Sequence, residues 1–370
     1  MSYLGIEKSI LAKQWIGPSS EQERNQEKLF QETGLPMALC AVLSRLNIDT
    51  NSAAKYLEPK LRELMPEPSK LKDMTKAAER ILHSAKTGEK VAIFADYDVD
   101  GGCSAALLID WFRFFNTECT LYVPDRVKEG FGPNIKALQF LESTHSLIIC
   151  VDCGTLSHQA IESLNASDLI VLDHHLASEI LPKCYAVVNP NRQDELGDLS
   201  HLCAAAVVFL CLVEMRRLLR LNAEESPDLL NMLDLVALAT VADVAPLVGV
   251  NRAFVRQGLK ILAGRKRIGL AALSDQIKID QELSTYHLGF LLGPRINAGG
   301  RIGKPDLGAQ LLIAQDLEAA KAMAERLDQL NFERRELENQ IKEAALEQAI
   351  NQKSFESLAW AAGDSWHPGV

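Results

Sequence analysis

Eight side chains suited to proton transfer or cation binding fall into four short clusters along a chain of 370 residues. The first cluster is Asp96-Tyr97-Asp98-Val99-Asp100-Gly101-Gly102, with three carboxylates at alternate positions. Such a run repels itself and forgoes burial, a cost that a bound cation offsets. Asp152 comes next, and Gly154 two residues later gives the backbone room for a tight turn. Asp173-His174-His175 is the third cluster, and Asp243, within Thr240-Val241-Ala242-Asp243-Val244-Ala245-Pro246, adds another carboxylate. The set is rich in oxygen, includes imidazole and has no well-placed thiolate, which favours Mn2+ or Mg2+ over structural zinc. Two such ions about 3.5 to 4 Å apart can hold both the attacking hydroxide and the leaving oxygen of a phosphoryl transfer.

Groups able to meet a phosphate accompany these acids. Residues 293–301 read as a Gly-rich turn offering Arg295, Asn297 and Arg301, suited to forked contacts with phosphate oxygens, and Arg126 in Pro124-Asp125-Arg126 can join them. The net charge of −10 argues against a general nucleic-acid coat. Between residues 251 and 304, however, ten basic residues face three acidic ones, so a polyanion could dock there while the acidic remainder keeps the chain dissolved.

The elements that must position these groups can be read from periodicity. Short apolar runs at Val91–Ala95, 120–123, Leu147–Val151 and 169–172 alternate with helix-like segments at 104–115, 134–141 and 159–164. Strands apolar on both faces and separated by crossover helices predict an α/β domain, a parallel sheet flanked by helices. Ligands of open parallel sheets bind beyond the carboxyl ends of the strands, and the runs ending at Ala95, Val151 and Leu172 deliver Asp96, Asp152 and Asp173 to one rim.

Around that sheet the chain divides into helical extensions. Residues 1–85 read as a helical lead-in, punctuated at Gly34-Leu35-Pro36 and the Pro-rich stretch 65–68. Residues 86–250 form the α/β core, and 251–315 a basic helical part of the same lobe. Residues 316–353 form one long connector helix, with Leu317, Ala320, Ala324, Leu327, Leu330, Leu337 and Ile341 at helical spacing. A helix of that length usually bridges two bodies. In the remainder, 354–370, residues 358–362 read as a strand.

Composition excludes several other classes. Hydrophobic residues at 47% and charged residues at 24% rule out a disordered, collagen-like or purely coiled-coil chain. The longest apolar run, 202–213, is well short of the roughly 18 to 20 residues of a membrane span. The start lacks a basic stretch followed by an apolar core and a small-residue cleavage site, so the expected location is cytoplasmic and no membrane partner is expected. The eight cysteines are scattered, and Cys103, Cys119, Cys150, Cys203 and Cys211 read as buried reduced thiols. Cys150 and Cys153 form a lone C-x-x-C pair without a second pair at finger-like spacing.

Taken together and in order, these motifs resemble the DHH phosphoesterases, and within them the RecJ-type single-strand-specific exonucleases. The likeness rests on Asp96-Tyr97-Asp98-Val99-Asp100-Gly101, Val151-Asp152-Cys153-Gly154, Asp173-His174-His175, Val241-Ala242-Asp243 and the stretch from Gly293 to Arg301. Leu57-Glu58-Pro59 and Leu64-Met65-Pro66-Glu67-Pro68 also resemble the lead-in of that group. The resemblance implies that Asp98, Asp100, Asp152, His174 and Asp243 ligate two Mn2+ or Mg2+ ions, with Asp96 and His175 in the same site. It also implies 5′-to-3′ hydrolysis of single-stranded DNA in recombination and repair. Trp366-His367-Pro368-Gly369-Val370 resembles the opening of a DHH-associated domain. A C-terminal fragment carrying that domain and an oligonucleotide-binding fold is therefore the implied partner, and the chain by itself is expected to be a weak nuclease or none. The alternatives from the same residues are a phosphodiesterase for short oligonucleotides or cyclic dinucleotides, and an inactive remnant or scaffold.

Overall fold

The computed structural model describes residues 3–351, 358–364 and 366–367. The chain forms two compact units, Met1–Met65 with Val248–Ala253, and Pro66–Leu247 with Phe254–Val370. The first contains helices α1 (Ser20–Thr33), α2 (Met37–Arg45) and α3 (Thr50–Leu57), which share a small core of Leu29, Cys40, Leu43 and Ala53, and the short α4 (Leu61–Leu64), which buries no residue. A capping box between Ser19 and Gln22 starts α1. Gly34, in the left-handed region at φ 68°, ends it.

The second unit opens with α5 (Met74–Thr87) and is built on five parallel strands. These are β1 (Val91–Ala95), β2 (Cys119–Tyr122), β3 (Leu147–Val151), β4 (Asp168–Leu172) and β5 (Ala186–Val188), in the order β2-β1-β3-β4-β5. β1 and β3 are buried along their whole length, as strands covered on both faces must be, while β2 is a half-exposed edge. The crossovers are α6 (Val99–Phe114), α7 (Ile135–Glu142) and α8 (His158–Glu162). Beyond the sheet come α9 (Ala204–Leu221), α10 (Leu233–Ala242), α11 (Gly249–Ala263), α12 (Ile268–Gln276), α13 (Gly293–Ile302), α14 (Leu307–Leu312) and α15 (Leu317–Asn351). α6 packs against α9, α10 and α14, which fixes its N-terminus at the sheet rim.

Several elements depart from the sequence reading. β5 escaped notice because three residues carry too little pattern. α6 starts at Val99, not 104, because Asp98 caps it. α5 belongs to the sheet's unit: its Arg80 bonds Asp168 at 2.7 Å and Glu89 at 2.8 Å. Residues 293–301 lie in α13, not in a turn, and their glycines serve close packing: a Cβ on Gly300 would come 2.8 Å from the Tyr97 carbonyl oxygen. The strand expected at 358–362 is absent, since Ala362 is bonded instead, through N–H and C=O, to the Gln348 side-chain amide. The first half of α15 is not held in reserve for another body. Ala320, Ala324, Leu327 and Leu330 are buried, and the helix packs on α12 and α13. Residues 352–353, the expected end of that helix, and 368–370 lie outside the described residues. Of the cysteines expected to be buried, Cys119 is only partly so, because it starts the edge strand.

The basic stretch 251–304 is also not an open polycationic face. Acids distant in sequence hold two of its ten basic residues: Arg267 pairs with Asp234 at 2.8 Å and Asp110 at 2.9 Å, and Arg295 with Asp328 at 2.7 Å. Arg265 meets Asp275 at 2.6 Å, and Arg252 stacks on the Tyr56 ring 3.8 Å away. Among the described residues, no helix is long and apolar enough to cross a membrane.

Arg267 also bonds the Leu312 carbonyl, joining α6, α10, α12 and α14. Replacing it with Met would leave the nearly buried Asp234 carboxylate without its counter-charge. We expect Arg267→Met to cost about 3 to 5 kcal/mol, measured as a lowered urea midpoint. A loss within 0.5 kcal/mol of zero would show that this pair is not a structural tie.

Candidate metal centre

Ala95, Val151 and Leu172 are register partners across β1, β3 and β4, so Asp96, Asp152 and Asp173 stand side by side, one residue beyond the ladder. Their backbones extend it by one rung: Asp96 N–H donates to Val151 O at 3.4 Å, Asp152 to Leu172 O at 3.0 Å and Asp173 to Val188 O at 3.1 Å. Asp152 takes φ 59°, a left-handed conformation that Asp and Asn tolerate better than other side chains.

The neighbouring helices add the rest. Asp98 caps α6, accepting from Asp100 N–H at 2.9 Å and Gly101 N–H at 3.0 Å. Gly101 allows that cap to sit tight, because a Cβ there would fall 2.5 Å from the Asp96 carbonyl oxygen. Asp100, buried in the first turn, accepts from Ala204 and Ala205 N–H at 2.6 and 2.8 Å. It thereby caps α9, whose own N-cap residue, Cys203, supplies no side-chain bond. Asp243 stands at the C-terminus of α10, where the helix dipole opposes a negative charge.

These residues converge. His174 Nε2 lies 3.3 Å from Asp152, 3.7 Å from Asp100 and 3.9 Å from Asp243. Three overlapping triads bring their donor atoms within 4.8 Å of one another: Asp152-His174-His175, Asp100-His174-Asp243 and Asp96-Asp98-Asp152. The seven residues expected from sequence to share a site therefore do so.

The electrostatics fit a cation. Burial, with the charge of Asp98 beside it, pushes Asp96 up to about 7. Burial together with Asp98 and Asp243 pushes Asp100 up to about 8. Burial and the surrounding acids drive Asp152 well above the carboxylate range. Oδ1 of Asp96 and Oδ1 of Asp152 are buried and accept no hydrogen bond. Unsatisfied buried acceptors are costly, and a divalent ion would satisfy both. Asp173 behaves in the opposite sense: burial alone would raise it, but bonds from His175 and Thr155 hold it at about 2. As a carboxylate it accepts from His175 Nδ1 at 2.8 Å, which places the proton on that nitrogen and leaves Nε2 for other work.

Two supporting residues were missed by the sequence reading. Asn189 follows β5 and donates to the His175 carbonyl at 2.9 Å, and Asn191 donates to the His174 carbonyl at 2.5 Å. The available signal was the apolar run 186–188 leading into Asn-Pro-Asn, another strand end of the kind that delivers the acids.

The four expected phosphate contacts separate into two pairs. Arg126 lies over the Tyr97 ring at 5.2 Å, and Arg301 is half-buried nearby, its basicity lowered by burial and by the charges of Arg126 and Arg334. Arg295 and Asn297 are turned to structural work instead. Arg295 bonds Asp328 and the Leu291 carbonyl, and Asn297 Oδ1 accepts from Val99 N–H at 2.8 Å, holding the start of α6.

Residues 90–240 match the family described as "DHH family, N-terminal domain". The chain is 36% identical to a single-stranded-DNA-specific exonuclease RecJ from Dickeya dadantii, over 92% of this chain and 62% of that protein. It is 32% identical to the protein of that name from Bacillus subtilis, over 94% of this chain and 44% of the relative. The chain thus spans about half the length of these relatives. A crystal structure of exonuclease RecJ bound to manganese matches with a TM-score of 0.69 at 30% identity, covering 77% of this chain and 71% of that one.

Because Asp152 has positive φ and an unsatisfied oxygen, Asn is the cleanest substitution there. We expect Asp152→Asn to abolish the rise in melting temperature that Mn2+ produces in the unaltered chain. Without metal it should stay within about 1 kcal/mol of the unaltered chain, since burial already favours the neutral carboxylic acid that the amide imitates. A Mn2+-induced shift equal to that of the unaltered chain would contradict the assignment.

Proposed function

The chain belongs to the DHH family, and from that premise we propose that it hydrolyses phosphodiester bonds of single-stranded DNA from the 5′ end, as a cytoplasmic RecJ-type exonuclease of recombination and repair. The observation that carries this reading is the convergence of seven acids and histidines on one rim, two of them with buried, unsatisfied carboxylate oxygens, beside Arg126 and Arg301. Asp96, Asp98, Asp100, Asp152, His174 and Asp243 would hold two Mn2+ or Mg2+ ions. Such a pair supplies, when bound, the Lewis acidity that attack of water on phosphorus needs.

The chain's own side chains do the rest. Arg126 and Arg301 orient a phosphate by forked hydrogen bonds, without reading bases. Asp173 holds the His175 ring by Nδ1, so Nε2 is the atom that delivers a proton to the leaving oxygen. Asn189 and Asn191 keep the backbone of both histidines in place. Asp100 ties the start of α9 to the site, so a ligand that orders this carboxylate also braces two helices.

The experiment is to incubate the purified chain and Mn2+ with 5′-labelled and 3′-labelled single-stranded and duplex DNA. We expect labelled mononucleotide at early times only from 5′-labelled single strands. Hydrolysis confined to dinucleotides or cyclic dinucleotides would overturn the polymer reading. His175→Ala should lower kcat by about 100-fold. Arg301→Gln should weaken binding equally for all sequences and lower the salt slope by about 1. Loss confined to particular sequences would contradict the phosphate role.

A further inference from the structure

A cavity of about 390 Å3 opens where the end of α6, the start of α10, the start of α12 and the loop from α14 to α15 meet. That volume falls within the roughly 300 to 1,000 Å3 of small-molecule sites. Two helices join it to the metal centre. α6 has Asp98 and Asp100 at its start and Asp110 and Arg113 near its end, and α10 runs from Asp234 in its first turn to Asp243 at its C-terminus. At a rise of about 1.5 Å per residue, the cavity's acids stand about 15 Å along α6 and about 14 Å along α10 from those of the centre. The cavity is therefore a separate place on the molecule.

One of its walls is rigid and already satisfied. Arg267 donates from Nε to Asp234 at 2.8 Å and from Nη1 to Asp110 at 2.9 Å and the Leu312 carbonyl at 3.2 Å, so both carboxylates that line the cavity are engaged. The other two cations are not. Among the described residues Lys266 meets no carboxylate, and its Nζ donates to the neutral Asn231 side chain at 3.1 Å. Arg113 donates from Nη1 to the Ile313 carbonyl at 3.0 Å and reaches Asp110 at 3.4 Å, which leaves its Nε and Nη2 without a partner among the described residues. Three cations against two carboxylates give the lining an excess of one positive charge. Ile268, Ile313 and Ala314 add an apolar face, and Gln315 an amide that both donates and accepts.

This lining selects an amphiphilic anion of low charge. Lys266 and the Arg113 fork suit a phosphate, Ile268 and Ile313 a flat apolar body, and Gln315 its polar edge. A nucleoside 5′-monophosphate has all three parts, and the proposed hydrolysis releases it. We infer that this cavity is an effector site for nucleoside 5′-monophosphates, linked to the metal centre through α6 and α10. The ligand's being the product rests on the nuclease reading, whereas the charge and lining of the cavity stand without it. The link is physical: Arg267 ties α6 to α10 at this end, and at the other His174 lies 3.7 Å from Asp100 of α6 and 3.9 Å from Asp243. A ligand that shifts the two helices here shifts the acids there, and the effect on affinity is reciprocal.

The test is calorimetric titration of the full, metal-free chain with 2′-deoxyadenosine 5′-monophosphate, inorganic phosphate and deoxyadenosine in turn. Arg301→Gln is titrated in parallel, so that binding at the reaction centre is told apart from binding in the cavity. We expect the nucleotide to bind more tightly than either of its parts, in both chains. Lys266→Glu should weaken it about tenfold, and by more at low salt than at high salt. Lys260→Glu, a charge reversal at an exposed position outside the cavity, should leave it unchanged. Saturating nucleotide should change the Kd for Mn2+ by about fivefold or more, an effect lost in Lys266→Glu. Equal nucleotide affinity in Lys266→Glu and the unaltered chain would overturn the site. Phosphate or deoxyadenosine binding as tightly as the nucleotide would overturn the ligand, and an unchanged Kd for Mn2+ the effector role. Hydrolysis of single-stranded DNA by the unaltered chain, measured alongside, tests the nuclease reading separately. With hydrolysis absent and nucleotide binding sensitive to Lys266, the cavity stands and the nuclease reading fails; with hydrolysis present and binding insensitive to Lys266, only the cavity fails.

Discussion

The in-register pairing of Ala95, Val151 and Leu172 is the constraint on which the chemistry depends. Parallel strands lie about 4.8 Å apart, so the residues after these three stand side by side, Asp96 and Asp152 close enough to share a small cation and Asp173 beside them to hold His175. Each is an aspartate with its backbone N–H still tied to the neighbouring strand. A slip of one residue in any strand would turn that side chain to the other face and break the site. The continuous apolar burial of β1 and β3 gives the register its stability, and the polar rim inherits the precision.

Around that rim the helices resolve a conflict between fold and charge. Acids packed this closely raise one another's affinity for protons and destabilise the folded chain. Some of the cost is offset by N–H groups at helix starts, through Asp98 on α6 and Asp100 on α9. Oδ1 of Asp96 and Oδ1 of Asp152 are buried without a hydrogen bond. A core built for stability alone would not leave two buried acceptors open. Their persistence at the end of a well-packed sheet is the mark of a site that a ligand completes.

Much of this was legible in the residue order, and the failures have physical causes. Strands buried on both faces announce themselves as uninterrupted apolar runs, so β1, β3 and β4 and the acids that follow them could be read directly. β5, with three residues, could not, and Asn189 and Asn191 were lost with it. The roles of Arg295 and Asn297 were misread because residue type does not say which way a side chain turns. Asp328, 33 positions away, and Val99, 198 positions away, decide that. The basic excess in 251–304 was real in composition, but two of its arginines are held in space, Arg267 by Asp110 and Asp234 and Arg295 by Asp328. Local charge counts fail whenever folding brings the opposite charge from a distant segment. The Gly-rich stretch before Arg301 looked like a turn because glycine is usually read for its backbone freedom, whereas here its lack of a side chain lets α13 approach Tyr97.

Whether the rim binds two divalent ions as a pair is tested most directly by electron paramagnetic resonance of the chain titrated with Mn2+. Two ions about 3.5 to 4 Å apart, sharing Asp152 or His174 between overlapping triads, should give the multiline spectrum of a coupled pair, with two Mn2+ bound per chain at saturation. A simple six-line spectrum from isolated ions at saturation would contradict the account.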